Sequence, residues 1–280
     1  STITTDRIDH IFNNPNFILR YFELNDVGCM WRLLQEYKPD EIYNLAAQSH
    51  VRVSFEIPES TADGVALGTM RLLEAARHVV PDVRFYQASS SEMFGRSVEK
   101  NGYQRETTKF EPTSPYGCAK VFGYNLVKHY RNAYKLFAAN GILFNHESPR
   151  RGYEFVTRKI TRSLSKIIAG RQKYLELGNI HAKRDWGHAK DYVYAMWKMM
   201  QLKKPQDFVI GSGKTHTVKD FIKLAFKYAN LNYKKYIKID NKLFRPNDKV
   251  ILKANFNKAK KILKWKPTIT FKSLVKEMVE

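Results

Sequence analysis

The stretch FYQASSSEMFG, residues 85–95, decides the fold. Its first part, Phe85–Ala88, is a short apolar run that predicts a buried strand. This strand ends in three serines and Glu92. Because ligands bind outside the carboxyl ends of strands in open α/β sheets, these polar residues mark a candidate site.

A second stretch, SPYGCAK at residues 114–120, predicts the start of a helix, since proline is favoured in the first helical turn. Tyr116 and Lys120 are four residues apart and therefore share one helix face. A free tyrosine has a pKa of about 10, and a nearby ammonium group favours its phenolate. The pair can therefore take a proton from a sugar hydroxyl while a nicotinamide takes the hydride. The spacing alone also fits a solvated lysine beside a half-buried tyrosine.

Strands and helices alternate through the first half of the chain. Besides a short helix near Arg7–Phe12, the pattern predicts strands at Phe17–Phe22, Glu41–Leu45, 85–89 and Gly141–Asn145, and helices at Val27–Tyr37, within Thr61–Val80 and from Pro115 to about Tyr134. This alternation predicts a parallel, doubly wound α/β sheet. Each of four polar groups directly follows a predicted strand: Glu23, Leu45–Ser49, Ser89–Glu92 and Asn145–Arg151.

The order of elements changes after Gly152. The predicted elements are helices Thr157–Ala169, Ala189–Leu202 and Val218–Tyr228, strands Tyr174–Leu177, Phe208–Ile210 and near Tyr236–Ile239, and terminal helices. These pieces predict a smaller mixed lobe. We therefore expect a nucleotide-binding domain at 1–152 and a mainly substrate-binding lobe at 153–280, with some segments of the lobe returning to the first domain.

Charge is distributed unevenly between the two halves. Residues 1–150 hold 17 basic and 17 acidic side chains, whereas residues 151–280 hold 31 and 10. Most of the excess is lysine spread along the sequence, which favours a solvated surface over an arginine-rich phosphate reader. Two cysteines favour a reducing cytoplasm over a disulfide framework. No apolar run predicts a membrane span, and no metal site is predicted.

Several stretches together resemble one family. EIYNLAAQSHV (41–51), FYQASSSEMFG, SPYGCAK, GILFNHESPRRG (141–152), FVTRKI (155–160) and AKRDWGHAKDYV (182–193) are similar to the GDP-mannose 4,6-dehydratases, which are extended short-chain dehydrogenase/reductases. The resemblance runs from about Thr5 to Val279. It implies a Rossmann-like domain, an NADP cofactor, a GDP-mannose substrate and a homo-oligomer, either a dimer or a tetramer.

The resemblance also implies a reaction. The family oxidises C4 of the mannose, eliminates water across C5 and C6, and returns the hydride to C6. It implies that Tyr116 with Lys120 is the base for the C4 hydroxyl and that Glu92 is the acid/base at C5 and C6. The family has Thr where this chain has Ser90, and either hydroxyl can hydrogen-bond the C4 oxygen.

Binding residues are implied in the same way. For the cofactor the resemblance implies Glu23, Leu24, Leu45, Ala46, Ala47, Gln48, Ser49, Tyr116, Lys120, His146 and Arg151. For the substrate it implies Asn145, Val156, Lys159, Leu177, Gly178, Arg184, Arg245 and Asp248.

One expected motif does not occur in residues 1–60: a glycine-rich turn that would hold the cofactor pyrophosphate at a helix start. Family members carry this turn just before the segment that matches Ser1–Ile8. The chain therefore resembles a family member that begins one βαβ unit late. We expect weak NADP binding and a tendency to aggregate if the chain is expressed alone.

Three alternatives stay open at this level. The first is another nucleotide-sugar dehydratase or epimerase, against which NHESPRRG argues. The second is a catalytically silent paralogue that binds a nucleotide sugar or a partner subunit. The third is a nucleic-acid binder, which the charge alone suggests and which lacks a recognisable reader motif.

Overall fold

The computed structural model describes residues 5–244 and 251–280. Its strands are β1 Glu41–Asn44, β2 Arg84–Ser90, β3 Phe137–Leu143, β4 Asn145–Glu147, β5 Leu175–Leu177, β6 Lys183–His188, β7 Phe208–Ile210, β8 Thr215–Thr217 and β9 Ile237–Ile239. Its α-helices are α1 Val27–Tyr37, α2 Val51–Glu56, α3 Pro58–Ala62, α4 Gly68–Val79, α5 Pro115–Ala133, α6 Val156–Ile168, α7 Ala189–Met200, α8 Val218–Tyr228, α9 Asn257–Ile262 and α10 Phe271–Val279. One wide π-helical turn, Asp63–Leu67, joins α3 to α4.

The central sheet is parallel and has the strand order β1–β2–β3–β7. One face is covered by α1, α4 and α5, whose apolar side chains pack on Phe85 and Ala138. The other face is covered by α7 and α9, which pack with Tyr86, Ala139 and Phe208. Helices on both faces of a parallel sheet confirm the predicted doubly wound α/β architecture.

A second apolar core lies outside this sheet. It joins α6, α8 and α10 to β5 and β6, with Trp186, Phe221 and Phe226 at its centre. Two small sheets border it, with the orders β4–β6–β8 and β5–β9. The sequence-based boundary at residues 152 and 153 stays a prediction, although the elements packed around this core all follow it.

Side-chain caps fix where several helices begin. Asp26 accepts a hydrogen bond from the Cys29 N–H at the start of α1, and Ser114 accepts one from Gly117 at the start of α5. Thr217 and Asp220 form a reciprocal capping box that opens α8. Such residues satisfy N–H groups that have no partner inside the helix, which explains why the predicted starts at Val27, Pro115 and Val218 are accurate.

The predicted strand at Phe17–Phe22 is wrong. The structure has no strand there, and Tyr21 is 98% exposed. A strand is stable only when a neighbour satisfies its backbone and its side chains are buried, and this segment has neither in the described part of the chain. Glu23 therefore does not follow a strand end as expected.

β3 begins at Phe137, four residues before the predicted Gly141. The missed residues include Ala138 and Ala139, which have low strand propensity yet are fully buried and paired with Phe85 and Tyr86 of β2. Packing therefore overrides local preference. Gly141 is required by its neighbour, since an added Cβ would lie 2.1 Å from the Tyr86 hydroxyl.

Candidate active site

Ser90 ends β2 and turns the chain. It has an extended backbone, and its side chain accepts a hydrogen bond from the Glu92 N–H at 3.2 Å. A short 3-10 turn, Ser91–Met93, follows and brings the Glu92 side chain to the carboxyl end of the sheet. The preceding serine, Ser89, is buried and donates to Asn140 at 3.1 Å, so it supports the strand.

The start of α5 packs directly on this turn. A Cβ added to Gly117 would lie 2.9 Å from the Glu92 carbonyl oxygen, so only glycine permits this approach. The close contact brings Tyr116 beside Ser90 and Glu92. The strand–turn–helix pattern of the sequence thus produces one cluster of three polar side chains.

Tyr116 is buried, with 8% of its surface exposed. Its pKa is raised to about 12: burial raises it most, a hydrogen bond with Ser90 lowers it, the Glu92 carboxylate raises it and the charge of Arg151 lowers it. The expectation that the pKa of Tyr116 falls below its ordinary value is wrong for this structure, because burial outweighs the contacts that lower it. Tyr116 is a phenol at neutral pH here.

Lys120 lies one turn further along α5 and is almost fully buried. Its Nζ donates to the Ala88 carbonyl oxygen at 2.6 Å and lies 5.7 Å from the centre of the Tyr116 ring. Burial lowers the pKa of this ammonium to about 8. An ammonium has three donors, and the structure shows one of them in use, so Lys120 can donate to a ligand as well.

A second corner, at β4, faces the first. His146 contacts the Phe144 carbonyl oxygen through Nδ1 at 2.9 Å. Burial lowers the pKa of His146 to about 4, so its ring is neutral at pH 7. Since a carbonyl oxygen only accepts, Nδ1 carries the proton and Nε2 is an acceptor. Arg151, four residues after Glu147, pairs with that carboxylate at 3.1 Å.

The third side of the site is formed by α6 and the small sheets. No side chain caps α6 at Phe155, so the N–H groups of its first turn lack a cap. The Lys159 ammonium donates to the Glu176 carbonyl oxygen at 2.7 Å. Gly178 lies against Leu243, whose carbonyl oxygen would be 2.6 Å from an added Cβ.

These three sides enclose one cavity of about 580 Å³. The sequence-predicted residues that line it are Ser90, Glu92, Tyr116 and Lys120, then Leu45, Ala47, Ser49, Asn145, His146 and Arg151, and finally Val156, Lys159, Leu177, Gly178 and Arg184. These predicted residues span 139 positions of the chain, from Leu45 to Arg184, and they meet at one place.

Other predicted residues do not line the cavity. Glu23 and Ala46 are exposed, Leu24 packs on Gly68 of α4, and Gln48 donates to the His50 carbonyl oxygen. Arg245 and Asp248 lie outside the described residues. Ligand contacts for all predicted residues stay predictions.

The cavity also has lining residues that the sequence did not predict. They include His50 and Arg52 near the start of α2, Glu147 and Phe155 near Arg151, and Trp186 on β6. Two of them had a signal: Glu147 precedes Arg151 by four residues, and Trp186 alternates with Arg184 along a strand. The positions of His50 and Phe155 depend on long-range packing, their rings lying 5.5 Å apart.

No helix within 5–244 or 251–280 is long and apolar enough to cross a membrane. Over the same ranges no cluster of three or more His, Cys, Asp or Glu side chains is arranged to hold a metal ion.

Comparison with known proteins agrees with this geometry. The family described as GDP-mannose 4,6 dehydratase matches residues 1–278. A curated relative, GDP-mannose 4,6 dehydratase 1 of Arabidopsis thaliana, is 51% identical over 290 residues, which cover 100% of this chain and 80% of the relative.

Solved structures at lower identity show the same fold. The dTDP-glucose 4,6-dehydratase of Bacillus anthracis, in complex with NAD, has a TM-score of 0.84 at 23% identity over 98% of this chain and 82% of that one. The protein RMD of Pseudomonas aeruginosa, complexed with NADPH, has a TM-score of 0.83 at 22% identity over 94% of this chain and 87% of its own.

Proposed function

Because this chain belongs to the GDP-mannose 4,6-dehydratase family, we propose that it converts GDP-mannose to GDP-4-keto-6-deoxymannose in the cavity described above. The observation that supports this most is the meeting of Ser90, Glu92, Tyr116 and Lys120 in one cavity that the uncapped start of α6 also lines. The reaction is a hydro-lyase reaction: the product has lost one water.

The cavity suits a nicotinamide cofactor, which we propose is NADP. Gln48, between the lining residues Ala47 and Ser49, has a buried Oε1 without a hydrogen-bond partner in the described part of the chain. Lys120 has spare donors for a ribose hydroxyl, and His146 and Arg151 lie at the same end. When bound, the cofactor supplies the hydride acceptor for C4 and the hydride donor for C6.

Ser90, Tyr116 and Lys120 would act on the C4 hydroxyl. The Ser90 hydroxyl forms a hydrogen bond with Tyr116. Ser90 can therefore hold the C4 oxygen while Tyr116, as the phenolate, takes the proton of the C4 hydroxyl. Because burial raises the pKa of Tyr116 to about 12, proton removal depends on positive charge that stabilises the phenolate. The buried ammonium of Lys120, 5.7 Å from the ring, provides part of that charge.

Glu92 would act on the neighbouring carbons. Once C4 is a ketone, the hydrogen on C5 becomes acidic, and a carboxylate can remove it. The same group, now protonated, can protonate the hydroxyl leaving C6, so that water departs. Glu92 lines the same cavity as Tyr116 and Lys120.

The diphosphate of the substrate would bind at α6. A helix start carries exposed N–H groups and partial positive charge, which favours phosphate groups. Val156 begins the helix, and Lys159 and Arg184 add two cations to the same cavity wall. Leu177, Gly178 and Asn145 would then contact the nucleoside and sugar; Arg245 and Asp248 are proposed to contribute from outside the described residues.

Further expectations belong to the same proposal. Glu23 and Leu24 would lie at the adenine of the cofactor, and Ala46 would lie along its pyrophosphate and ribose. The protein would act in the cytoplasm as a homo-oligomer, with residues 1–152 holding the cofactor and 153–280 mainly holding the substrate.

The direct test is incubation of the protein with NADP and GDP-mannose, followed by mass spectrometry. The proposal expects a product lighter by one water that carries a ketone, which hydroxylamine traps as an oxime. Unchanged GDP-mannose in the presence of measurable GDP-mannose binding would instead support a silent, sugar-nucleotide-binding protein.

A further inference from the structure

Glu147 is a buried carboxylate on the cavity wall. It ends β4, has 2% of its surface exposed, and lies between residues proposed for the cofactor and those proposed for the substrate. Burial of a carboxylate is unfavourable unless it is paired and hydrogen-bonded. Its partners therefore indicate its role.

The partners of Glu147 come from two elements. The Thr157 hydroxyl, in the first turn of α6, donates to Oε2 at 2.6 Å. The Arg151 Nε lies 3.1 Å from the same oxygen. The guanidinium of Arg151 also lies flat against the Phe155 ring, with its Cζ 3.6 Å from the ring centre. Arg151 is thus held between an acid on one side and an aromatic face on the other.

We propose that Glu147 is a positioning residue: it fixes the Arg151 guanidinium at the cofactor end of the cavity and anchors it to the start of α6. The inference rests on the function proposed above, in which Arg151 contacts the cofactor. Glu147 itself need not touch a ligand.

Physical reasoning favours positioning over stabilisation. A buried ion pair gives little net stability compared with apolar residues of the same volume, because desolvation offsets the attraction. What the pair does provide is direction, since a guanidinium has a planar arrangement of donors. The Arg151 Nε lies 3.1 Å from the Glu147 carboxylate without forming a hydrogen bond in the described part of the chain, and Phe155 lies against the guanidinium. The ion pair and the ring contact therefore fix where the guanidinium lies, on the wall of the cavity.

The test is a double-mutant cycle on NADPH affinity, measured by calorimetry with Glu147→Gln, Arg151→Met and the double variant. Losing one oriented charged hydrogen bond corresponds to about 10- to 100-fold in affinity. If Glu147 acts through Arg151, each single variant weakens NADPH binding by that amount and the double variant is no weaker than Arg151→Met to within about twofold. Losses that multiply would overturn the inference.

The chain offers a matched control. Glu99 likewise accepts from a threonine and an arginine, Thr108 at 2.7 Å and Arg105 at 3.2 Å, but it does not line the cavity. Glu99→Gln should leave NADPH affinity unchanged to within about twofold. An equal loss in this control would show that any disturbed acid weakens binding, and would also overturn the inference.

Two further outcomes are separated by the same set of proteins. If the unchanged protein binds no NADPH, the proposed function and this inference both fail. Should Glu147→Gln not fold, Thr157→Val keeps the acid but removes its anchor, and a loss of NADPH affinity of about threefold or more is expected. Unchanged affinity in Thr157→Val would then contradict the inference.

Discussion

Two regions of this protein have similar sequences but different structures. Phe17–Phe22 followed by Glu23, and Phe85–Ala88 followed by serines and Glu92, are both apolar runs that end in polar residues. The second is β2, paired on both sides, with Phe85 fully buried. The first has no strand, and Phe22 is 37% exposed.

The difference lies in what surrounds each run. β2 has β1 and β3 as hydrogen-bonding neighbours and helices on both faces, so its backbone is paired and its apolar side chains are buried. A polar residue that follows such a strand is held in place, which catalysis requires. The segment around Phe17–Phe22 has no such support within the described residues, and we therefore assign the chemistry to the end of β2.

The largest expected effect is on turnover, and it compares removal of a tyrosine hydroxyl beside the end of β2 with removal of one in the Phe17–Phe22 segment. Tyr116→Phe removes the proposed base and should lower turnover of GDP-mannose by about 10²–10⁴-fold while leaving GDP-mannose binding nearly intact. Tyr21→Phe, the matched change in the other region, removes the hydroxyl of a side chain that is 98% exposed and should leave turnover unchanged to within a few-fold. Initial rates and calorimetric affinities of both variants provide the check; near-normal turnover by Tyr116→Phe would refute the assignment.

The next effect concerns stability and uses the same substitution in both regions. Phe85→Ala should destabilise the protein by about 3–5 kcal/mol, because it leaves a cavity beneath the sheet. Phe22→Ala removes a side chain that is already 37% exposed, and it should cost less than about 1 kcal/mol. Urea unfolding of the two variants measures the difference, and equal losses would mean that the Phe17–Phe22 segment is packed as firmly as β2.

A third effect is a pH dependence that belongs to the β2 region alone. Burial lowers the pKa of Lys120 to about 8, so the ammonium is present below that pH and is lost above it. If its charge supports the Tyr116 phenolate, kcat/KM should fall about tenfold per pH unit above roughly 8. Lys120→Arg keeps its charge at those pH values, so the falling limb should move upward. If kcat/KM of the Lys120→Arg variant falls at the same pH as that of the unchanged protein, the fall belongs to another group.

The smallest effect is expected at Tyr21, whose side chain is almost fully exposed. Tyr21 is 98% exposed, so Tyr21→Ser should change the free energy of unfolding by less than about 0.5 kcal/mol. Hydrogen exchange should also be faster for the amides of residues 17–22 than for those of β2. Strong protection of residues 17–22 would remove the contrast between the two regions.

Elements with strong local signals were predictable from the sequence. α1, α5 and α8 combine a capping residue with helical apolar spacing, and their predicted starts match the structure. The motif residues at strand ends also meet in one cavity, because a parallel sheet brings its carboxyl ends together.

Features that depend on distant contacts were not predictable. Ala138 and Ala139 belong to β3 because they pair with β2 and are fully buried, which no local preference shows. Burial reversed the expected direction of the pKa shift of Tyr116. Phe155 and His50 meet across the cavity although they are far apart in sequence.

The central claim is that the cluster of Ser90, Glu92, Tyr116 and Lys120 at the end of β2 supports all three steps. These steps are oxidation of C4, loss of water across C5 and C6, and return of the same hydride to C6. GDP-mannose labelled with deuterium at C4 tests it most directly, with the product examined by NMR. The account predicts that the deuterium appears at C6 of the product. Product with solvent hydrogen at C6, or with deuterium still at C4, would contradict it.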